Sequence, residues 1–434
     1  MALESVDSAH PAAAPNASLA AMSPRRAAWL LALLIGLQPL TTDLLLAALP
    51  ALASDLHAGQ APVQLVMAAS ILAFGVAQLV WGPLADRWGR RPVLLLGLAA
   101  YTLASLGALL APTIGVLIVW RALQGATMAA SVVCARAMLR DLYEPHEGAA
   151  VMAAALTRVG VIAVLCPTLS GLIVAHLGWR VTLAVMLAAG AALLVTIARS
   201  LPETARHRHT EATRLRSLLP QALRILRHPG FRAWTLLVTC SYGALFVALA
   251  GAGIGLIQVL GLSPSAAGLC LSAMAGCYIV GTGLCRRWLP RHGLAGTVAR
   301  GALFSLAAAL CLGAVALWDV RSLWALMLPM ALFAFGHGIH QPCGQAGAVA
   351  AFPESAGLAS ALAGFALAVT AFAIGGVLGQ TMDGTLRPVA GGMAIGAGLT
   401  ALLAWTWVRR HGEPVRLPHL AAGVQPAPPA PVQP

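Results

Sequence analysis

Lysine is missing from all 434 residues, and charge of either sign is scarce, at 9% of the chain. A soluble domain carries about 25% charged residues, so this chain lacks the polar groups to cover a water-facing surface. Acid is scarcer than base, with 14 Asp and Glu against 27 basic residues, all arginine. No C-x-x-C pair occurs. The eight cysteines (Cys134, Cys166, Cys240, Cys270, Cys277, Cys285, Cys311 and Cys343) lie in or at the ends of apolar runs. They read as small buried hydrophobes, which excludes a disulfide frame or a zinc site. No Walker-type glycine loop is present, so nucleotide hydrolysis is not the energy source, and no Ser/His/Asp set points to an enzyme. No basic head precedes a short apolar core at the N-terminus, so no cleaved signal peptide is expected and the first spanning helix directs insertion.

What is present is hydrocarbon. The chain is 59% hydrophobic with a mean hydropathy of +0.83, and most of it must face lipid as helix. Twelve apolar spans are predicted: 27–50, 62–85, 93–111, 114–138, 150–176, 179–198, 232–257, 266–285, 296–318, 322–344, 356–380 and 389–408. Most are near the ~20 residues that cross a bilayer. With the N-terminus inside, 22 arginines fall in cytoplasmic segments or at the cytoplasmic ends of spans and three, Arg180, Arg321 and Arg387, outside; Arg121 and Arg158 fall deeper within spans. This bias orients the chain with both termini cytoplasmic. It also accounts for the net charge of +13 without a nucleic-acid partner.

The longest polar interruption, 199–231, divides the spans six and six. It contains Leu218–Leu226, which reads as an amphipathic surface helix. The resulting organisation is a cytoplasmic tail 1–26, a six-helix bundle 27–198, a central cytoplasmic loop 199–231, a second six-helix bundle 232–408, and a Pro/Ala-rich disordered cytoplasmic tail 409–434. A faint repeat at an offset of 200 supports two related halves: Leu84-Ala-Asp-Arg87-Trp88 against Leu284-Cys-Arg-Arg287-Trp288, and Arg91 against Arg291. Such repeats place a transport site between the halves.

Of the 14 acids only Asp43 lies well inside a span. A carboxylate there costs about 2.5–3.5 kcal/mol on insertion scales, which marks it as functional by default. Arg121, at the same depth in the fourth span, is its natural partner, with Gln124 one turn on. Two readings stand: a pair that cargo separates so that Asp43 takes up a proton, or a static pair that locks two helices. The segment Trp81-Gly-Pro-Leu-Ala-Asp86-Arg87-Trp-Gly89-Arg90-Arg91-Pro92 sits between two spans. Gly82 and Gly89 read as close-approach positions, Pro92 as a helix restart, and Gly82, Asp86, Arg87, Gly89, Arg90 and Arg91 as a gating latch that breaks and forms as the halves rock; the alternative is a topology signal alone. Pro167 and Gly171 in the fifth span read equally as packing or as gating. His337, His340 and Cys343 drift around a helix and do not converge on a metal. Gln38, Gln124, His337, His340 and Gln341 are expected to line a substrate cavity.

The 82–92 segment resembles the loop of major facilitator superfamily transporters, G-x-L-a-D-r-x-G-r-r. The likeness is greatest to the Bcr/CflA-type drug:proton antiporters. Thr42-Asp43-Leu-Leu-Leu-Ala-Ala-Leu-Pro50 is similar to T-D-M-Y-L-P-A-L-P, and Arg121-Ala-Leu-Gln-Gly125 to R-x-x-Q-G. Arg136-Ala-Met-Leu-Arg-Asp141, Gly178-Trp-Arg180 and Leu201-Pro-Glu-Thr204 fall where that family has them. Leu45 and Ala47 replace its Tyr and first Pro, Ile35 and Gly36 stand where some relatives carry a second acid, and Cys166 and Ser170 replace small residues of antiporter patterns. The resemblance implies an all-α, twelve-helix fold of two pseudo-symmetric six-helix bundles in the bacterial inner membrane. It also implies proton-driven export of small, fairly apolar drug-like molecules, with Asp43 and Arg121 at the proton-linked positions. A monomer with no cofactor beyond the proton gradient is expected. Proton-coupled uptake or exchange of a metabolite, and a non-transporting receptor, are the alternatives.

Overall fold

The computed structural model describes residues 23–143, 145–204, 215–352 and 355–412; the tail residues 1–22 and 413–434, and 205–214 of the central loop, lie outside the described residues. Every regular element described is helical. Among the described residues, eleven helices are long and apolar enough to cross a membrane. They are α1 (Pro24–Asp43) continued by the short α2 (Leu49–Asp55), α3 (Gln60–Trp88), α4 (Arg90–Leu109), α5 (Ile114–Leu142), α6 (Pro145–Leu177) and α7 (Trp179–Ser200), then, after α8 (Leu215–Arg227), α9 (Pro229–Gly253), α10 (Pro264–Trp318), α11 (Leu323–Ala350), α12 (Ala356–Thr381) and α13 (Arg387–Leu403). At ~1.5 Å per residue, α10 is far too long for one ~30 Å crossing. Gly293 (φ 65°, ψ −176°) breaks it, and the chain crosses twelve times in two groups of six.

Local chemistry sets the ends. Ser23, Thr113, His228 and Ser263 accept backbone N–H bonds at the starts of α1, α5, α9 and α10, and a proline follows directly in three of the four. Gly89 (φ 102°) and Gly178 (φ 87°) are the whole connection between α3 and α4 and between α6 and α7. The segment expected as an 82–92 loop is therefore mostly helix: residues 82–88 end α3, and α4 begins at Arg90, two residues before Pro92. A Cβ on Gly82 would meet nothing within 4 Å, so Gly82 is not a close-approach position. A Cβ on Gly89 would overlap the Glu203 carboxylate.

Two spans are irregular toward the end away from the α3–α4 connection. The first does not run to residue 50 as one helix. It stops at Asp43, passes through a 3₁₀ turn at Leu46–Ala48 and resumes as α2. The seventh passes from α9 into a π-helical stretch, Ile254–Val259. The 3₁₀ turn touches the end of α9, where a Cβ on Gly253 would lie 2.8 Å from the Leu46 carbonyl oxygen.

The halves meet along α3–α12 and α6–α10. Their tight contacts lie on the side of the membrane away from the α3–α4 hairpin. There, side chains on Gly375 and Gly379 would overlap Ala68 and Ala61, and those on Gly171 and Gly268 would overlap the Pro264 and Pro167 carbonyls; midway along α3, one on Gly75 would overlap Ala368. Pro167 interrupts the α6 backbone ladder, and the Thr168 N–H and hydroxyl both lie within bonding distance of Ser272 Oγ, at 3.1 and 2.7 Å. Gln64 Nε2 donates to the Ala250 carbonyl at 3.0 Å. Pro167 and Gly171 thus sit in a seal between the halves on this far side.

The amphipathic segment at Leu218–Leu226 lies within α8. Ile225 faces the protein, while Leu219, Leu223 and Leu226 are exposed. All eight cysteines are free; Cys285 and Cys343 lie with their sulfurs 3.3 Å apart.

Candidate functional site

A polar cavity of about 130 Å³ lies between the halves. It extends from the middle of the membrane toward the hairpin side, and the far-side seal closes its other end. Gln38 and Thr42 of α1, Gln78 of α3, Arg136 of α5, Tyr242 of α9, Gln341 and Gln345 of α11 and Ser360 of α12 give it polarity. Ile71, Phe74, Met128, Leu367 and Ala368 give it apolar wall. A larger depression of about 340 Å³ lies among α9, α12 and α13, but its lining is almost wholly apolar and includes the outward-facing Val377, Ile395 and Leu399. Such a surface suits lipid chains and offers no group to orient a cargo.

Asp43 follows the cavity-lining Thr42 directly, half-buried, where α1 stops, and is not itself part of the lining. Its Oδ1 accepts the Thr42 hydroxyl at 2.8 Å. The same hydroxyl is 3.1 Å from the Gln38 carbonyl oxygen. Asp43 is near enough to Cys166 of α6 and Tyr242 of α9 for its charge to act on both.

The expected Asp43–Arg121 pair does not form. Arg121 is fully buried in the first half. Its Nη1 donates to Gln124 Oε1 at 2.5 Å and its Nη2 to the Thr41 carbonyl at 3.1 Å. Gln124 Nε2 donates to Ser105 Oγ at 2.7 Å, and Ser105 to the Tyr101 carbonyl at 2.8 Å. Thr41 donates to the Leu37 carbonyl at 2.6 Å, so the Tyr101 hydroxyl, 2.7 Å away, is the donor to Thr41. The reason is the break in α1. A helix that stops leaves its last carbonyls without partners, and a cation is favoured at that end. Arg121 caps the end of α1 two residues before Asp43. Gly125 then lets α5 reach the Ser70 carbonyl of α3, where a Cβ would overlap.

The other expected cavity residues divide. Gln38 and Gln341 line the cavity. Gln124 does not, because it is buried in the Arg121 network. His337 and His340 do not either. They are buried against α9 and α10, with His337 Nδ1 2.8 Å from Ser241 Oγ and His340 Nδ1 3.5 Å from Ser305 Oγ. No group of three potential metal ligands occurs among the described residues. Arg158, also within a span, stacks over Trp29 with its guanidinium 4.6 Å from the ring centre.

At the hairpin, Arg90 bridges Asp86 Oδ1 at 2.5 Å and Asp141 Oδ2 at 2.9 Å. Glu203 accepts the Arg90 and Arg91 backbone N–H groups at 2.9 and 3.3 Å, and Arg91 Nη2 donates to the Ala198 carbonyl at 3.0 Å. Arg87 lies in the last turn of α3. The partners of Asp86, Arg90 and Arg91 in these bonds all belong to the first six spans and their exit, so these contacts brace one half. Glu203 satisfies the free N–H groups at the start of α4, a function worth about 1 kcal/mol per cap. Glu203→Ala is expected to lower the thermal midpoint of the purified protein, and Gly89→Ala to lower it further through its positive φ; equal midpoints for all three proteins would refute this bracing.

Residues 31–379 match the profile described as Major Facilitator Superfamily. The chain belongs to the major facilitator superfamily. It is a multi-pass membrane transporter, not an enzyme. Multidrug resistance protein D of Escherichia coli (strain K12) is 31% identical over 401 residues, covering 89% of this chain and 97% of the relative. The chloramphenicol resistance protein of Pseudomonas aeruginosa is 29% identical over 347 residues, covering 79% of each chain. The crystal structure of a D-xylose-proton symporter shares the fold with a TM-score of 0.69 at 16% identity, over 89% of this chain and 98% of the other. These relatives agree with the Bcr/CflA-type resemblance of the motifs.

In this major facilitator chain, sequence reasoning missed Thr42, Gln78, Arg136, Tyr242, Gln345 and Ser360 as cavity lining. A signal existed for one of them: amides are uncommon in lipid-facing helix, and Gln78 lies inside the 62–85 span, whereas Gln345 falls just past the end of the 322–344 span.

Proposed function

We propose that this transporter exports small, fairly apolar drug-like compounds from the cytoplasm in exchange for protons, as a monomer in the bacterial inner membrane with both termini cytoplasmic. The hairpin side is then cytoplasmic and the cavity faces inward. One observation carries the reading: the single carboxylate well inside the described spans is hydrogen-bonded to Thr42, which lines the cavity between the halves. Resistance proteins among the relatives support export of drugs, and no cofactor other than the proton gradient enters.

Thr42 is the proposed link between proton and cargo. A hydroxyl has one hydrogen. With Asp43 ionised, that hydrogen points to the carboxylate. With Asp43 protonated, Thr42 accepts from the acid and turns its own hydrogen to the Gln38 carbonyl. Thr42 and Gln38 both line the cavity, so a proton on Asp43 alters what the wall offers to cargo. Thr42→Val removes the switch at nearly constant volume and is expected to slow proton-driven exchange about tenfold, equivalent to about 1.4 kcal/mol. Thr42→Ser keeps the hydroxyl and retains most of the rate. Equal loss in both variants would refute the switch.

The export reading is tested with inverted membrane vesicles and labelled chloramphenicol. An acidified lumen is expected to drive accumulation, and dissipating the pH gradient to release the drug. Accumulation driven by an alkaline lumen would establish symport instead.

A further inference from the structure

The charge of the cavity wall is one-sided. Its lining contains four glutamines, two hydroxyl side chains and a tyrosine, but no Asp or Glu; its only ionised group is Arg136. Asp43 is set behind Thr42 and bonded to it. Arg136 is exposed, on the hairpin-side half of α5, six residues before the helix ends. It has no hydrogen bond or ion pair with any described residue. In this it differs from the other arginines close to the site. Arg121 caps α1, Arg90 holds Asp86 and Asp141, and Arg158 bonds the Ala154 carbonyl at 2.6 Å. The opposite wall presents Gln341, Gln345 and Ser360, side chains that donate hydrogen bonds as readily as they accept them. Deeper in the cavity Phe74, Ile71 and Met128 present apolar surface.

We propose that Arg136 determines specificity and selects weak organic acids: compounds with a carboxylate or phenolate at one end and an apolar ring body at the other. The assignment rests on the export reading for the identity of the site and names its substrate class. A guanidinium in a partly dehydrated cavity binds an oxyanion through charge-assisted, often two-pronged hydrogen bonds. The glutamine amides and Ser360 donate to the same anion from the opposite half, and Phe74 and Met128 receive the ring. A cationic drug has no counter-charge on this wall and meets Arg136 on entry, so the site rejects it by repulsion. The anion bound here bridges the two halves, as a cargo must if its presence is to bias their movement.

The test compares 2-naphthoate with 2-naphthamide, which share ring and size and differ in charge. Binding to the purified full-length protein is followed by tryptophan fluorescence or calorimetry at neutral pH. Wild-type protein is expected to bind the acid about tenfold more tightly than the amide, equivalent to about 1.4 kcal/mol. Arg136→Gln is expected to bring that ratio to about one, and Arg136→Lys to restore part of it. Equal wild-type affinity for acid and amide overturns the proposal, and so does a ratio that survives in Arg136→Gln. The wild-type comparison needs no variant to fold. Because binding is read without flux, an Arg136-dependent preference for the acid in a protein that accumulates no drug in inverted vesicles would sink the export reading and leave this one standing. Drug accumulation with no preference for the acid would do the reverse.

Discussion

Asp43→Asn is expected to reduce proton-driven drug accumulation in inverted vesicles to background while the protein still inserts. The change is nearly isosteric, and the asparagine carbonyl oxygen still accepts the Thr42 hydroxyl that now lies 2.8 Å from Oδ1. The end of α1 keeps its cap, because Arg121 binds the Thr41 carbonyl and not the carboxylate. What disappears is the capacity to hold and release a proton directly behind the cavity-lining Thr42. Counterflow of unlabelled against labelled chloramphenicol, which needs no gradient, is therefore expected to persist at a reduced rate. The pairing of lost accumulation with surviving counterflow separates a coupling residue from one that only shapes the fold. Accumulation of wild-type size and pH dependence in this variant would remove Asp43 from the mechanism.

Gly171→Val is expected to open the far side. The backbones of α6 and α10 touch there twice, at Gly171 against Pro264 and at Gly268 against Pro167. A valine side chain has no room unless the helices part, and overpacking of this kind costs about 1–3 kcal/mol. That cost falls only on the state in which the far side is shut. Population ratios then shift about 5–150-fold toward the far-side-open state. Spin labels at His57 and Ser263, one in each half at the far end, should report a longer distance in the variant, and net transport should fall because the far-side-shut state is reached less often. An unchanged distance distribution would show that this seal does not distinguish the states.

The sequence was a good guide wherever hydrocarbon was the constraint. Lipid cannot hydrogen-bond a backbone, so apolar stretches must be helices, and their number and ends follow from length, glycine, proline and arginine placement. The twelve crossings were legible on that ground, including two in α10, where Pro290 and Gly293 interrupt an otherwise unbroken helix. Asp43 was legible because a lone acid in hydrocarbon is costly.

Tertiary structure decided the rest, for a physical reason. Depth along a helix can be counted from its end, but the direction a polar side chain takes depends on which carbonyls, hydroxyls and neighbouring helices meet it. Arg121 and Asp43 sit at matching depth, yet the break after Asp43 exposed the Thr41 carbonyl and drew the guanidinium to it. Gln124, His337 and His340 found partners inside their own halves and turned away from the cavity. Arg136 found none and faces it. The sequence alone determined that this chain is a bundle of membrane-crossing helices with one costly carboxylate. Which polar groups were left free to meet a cargo was settled only when the two halves packed.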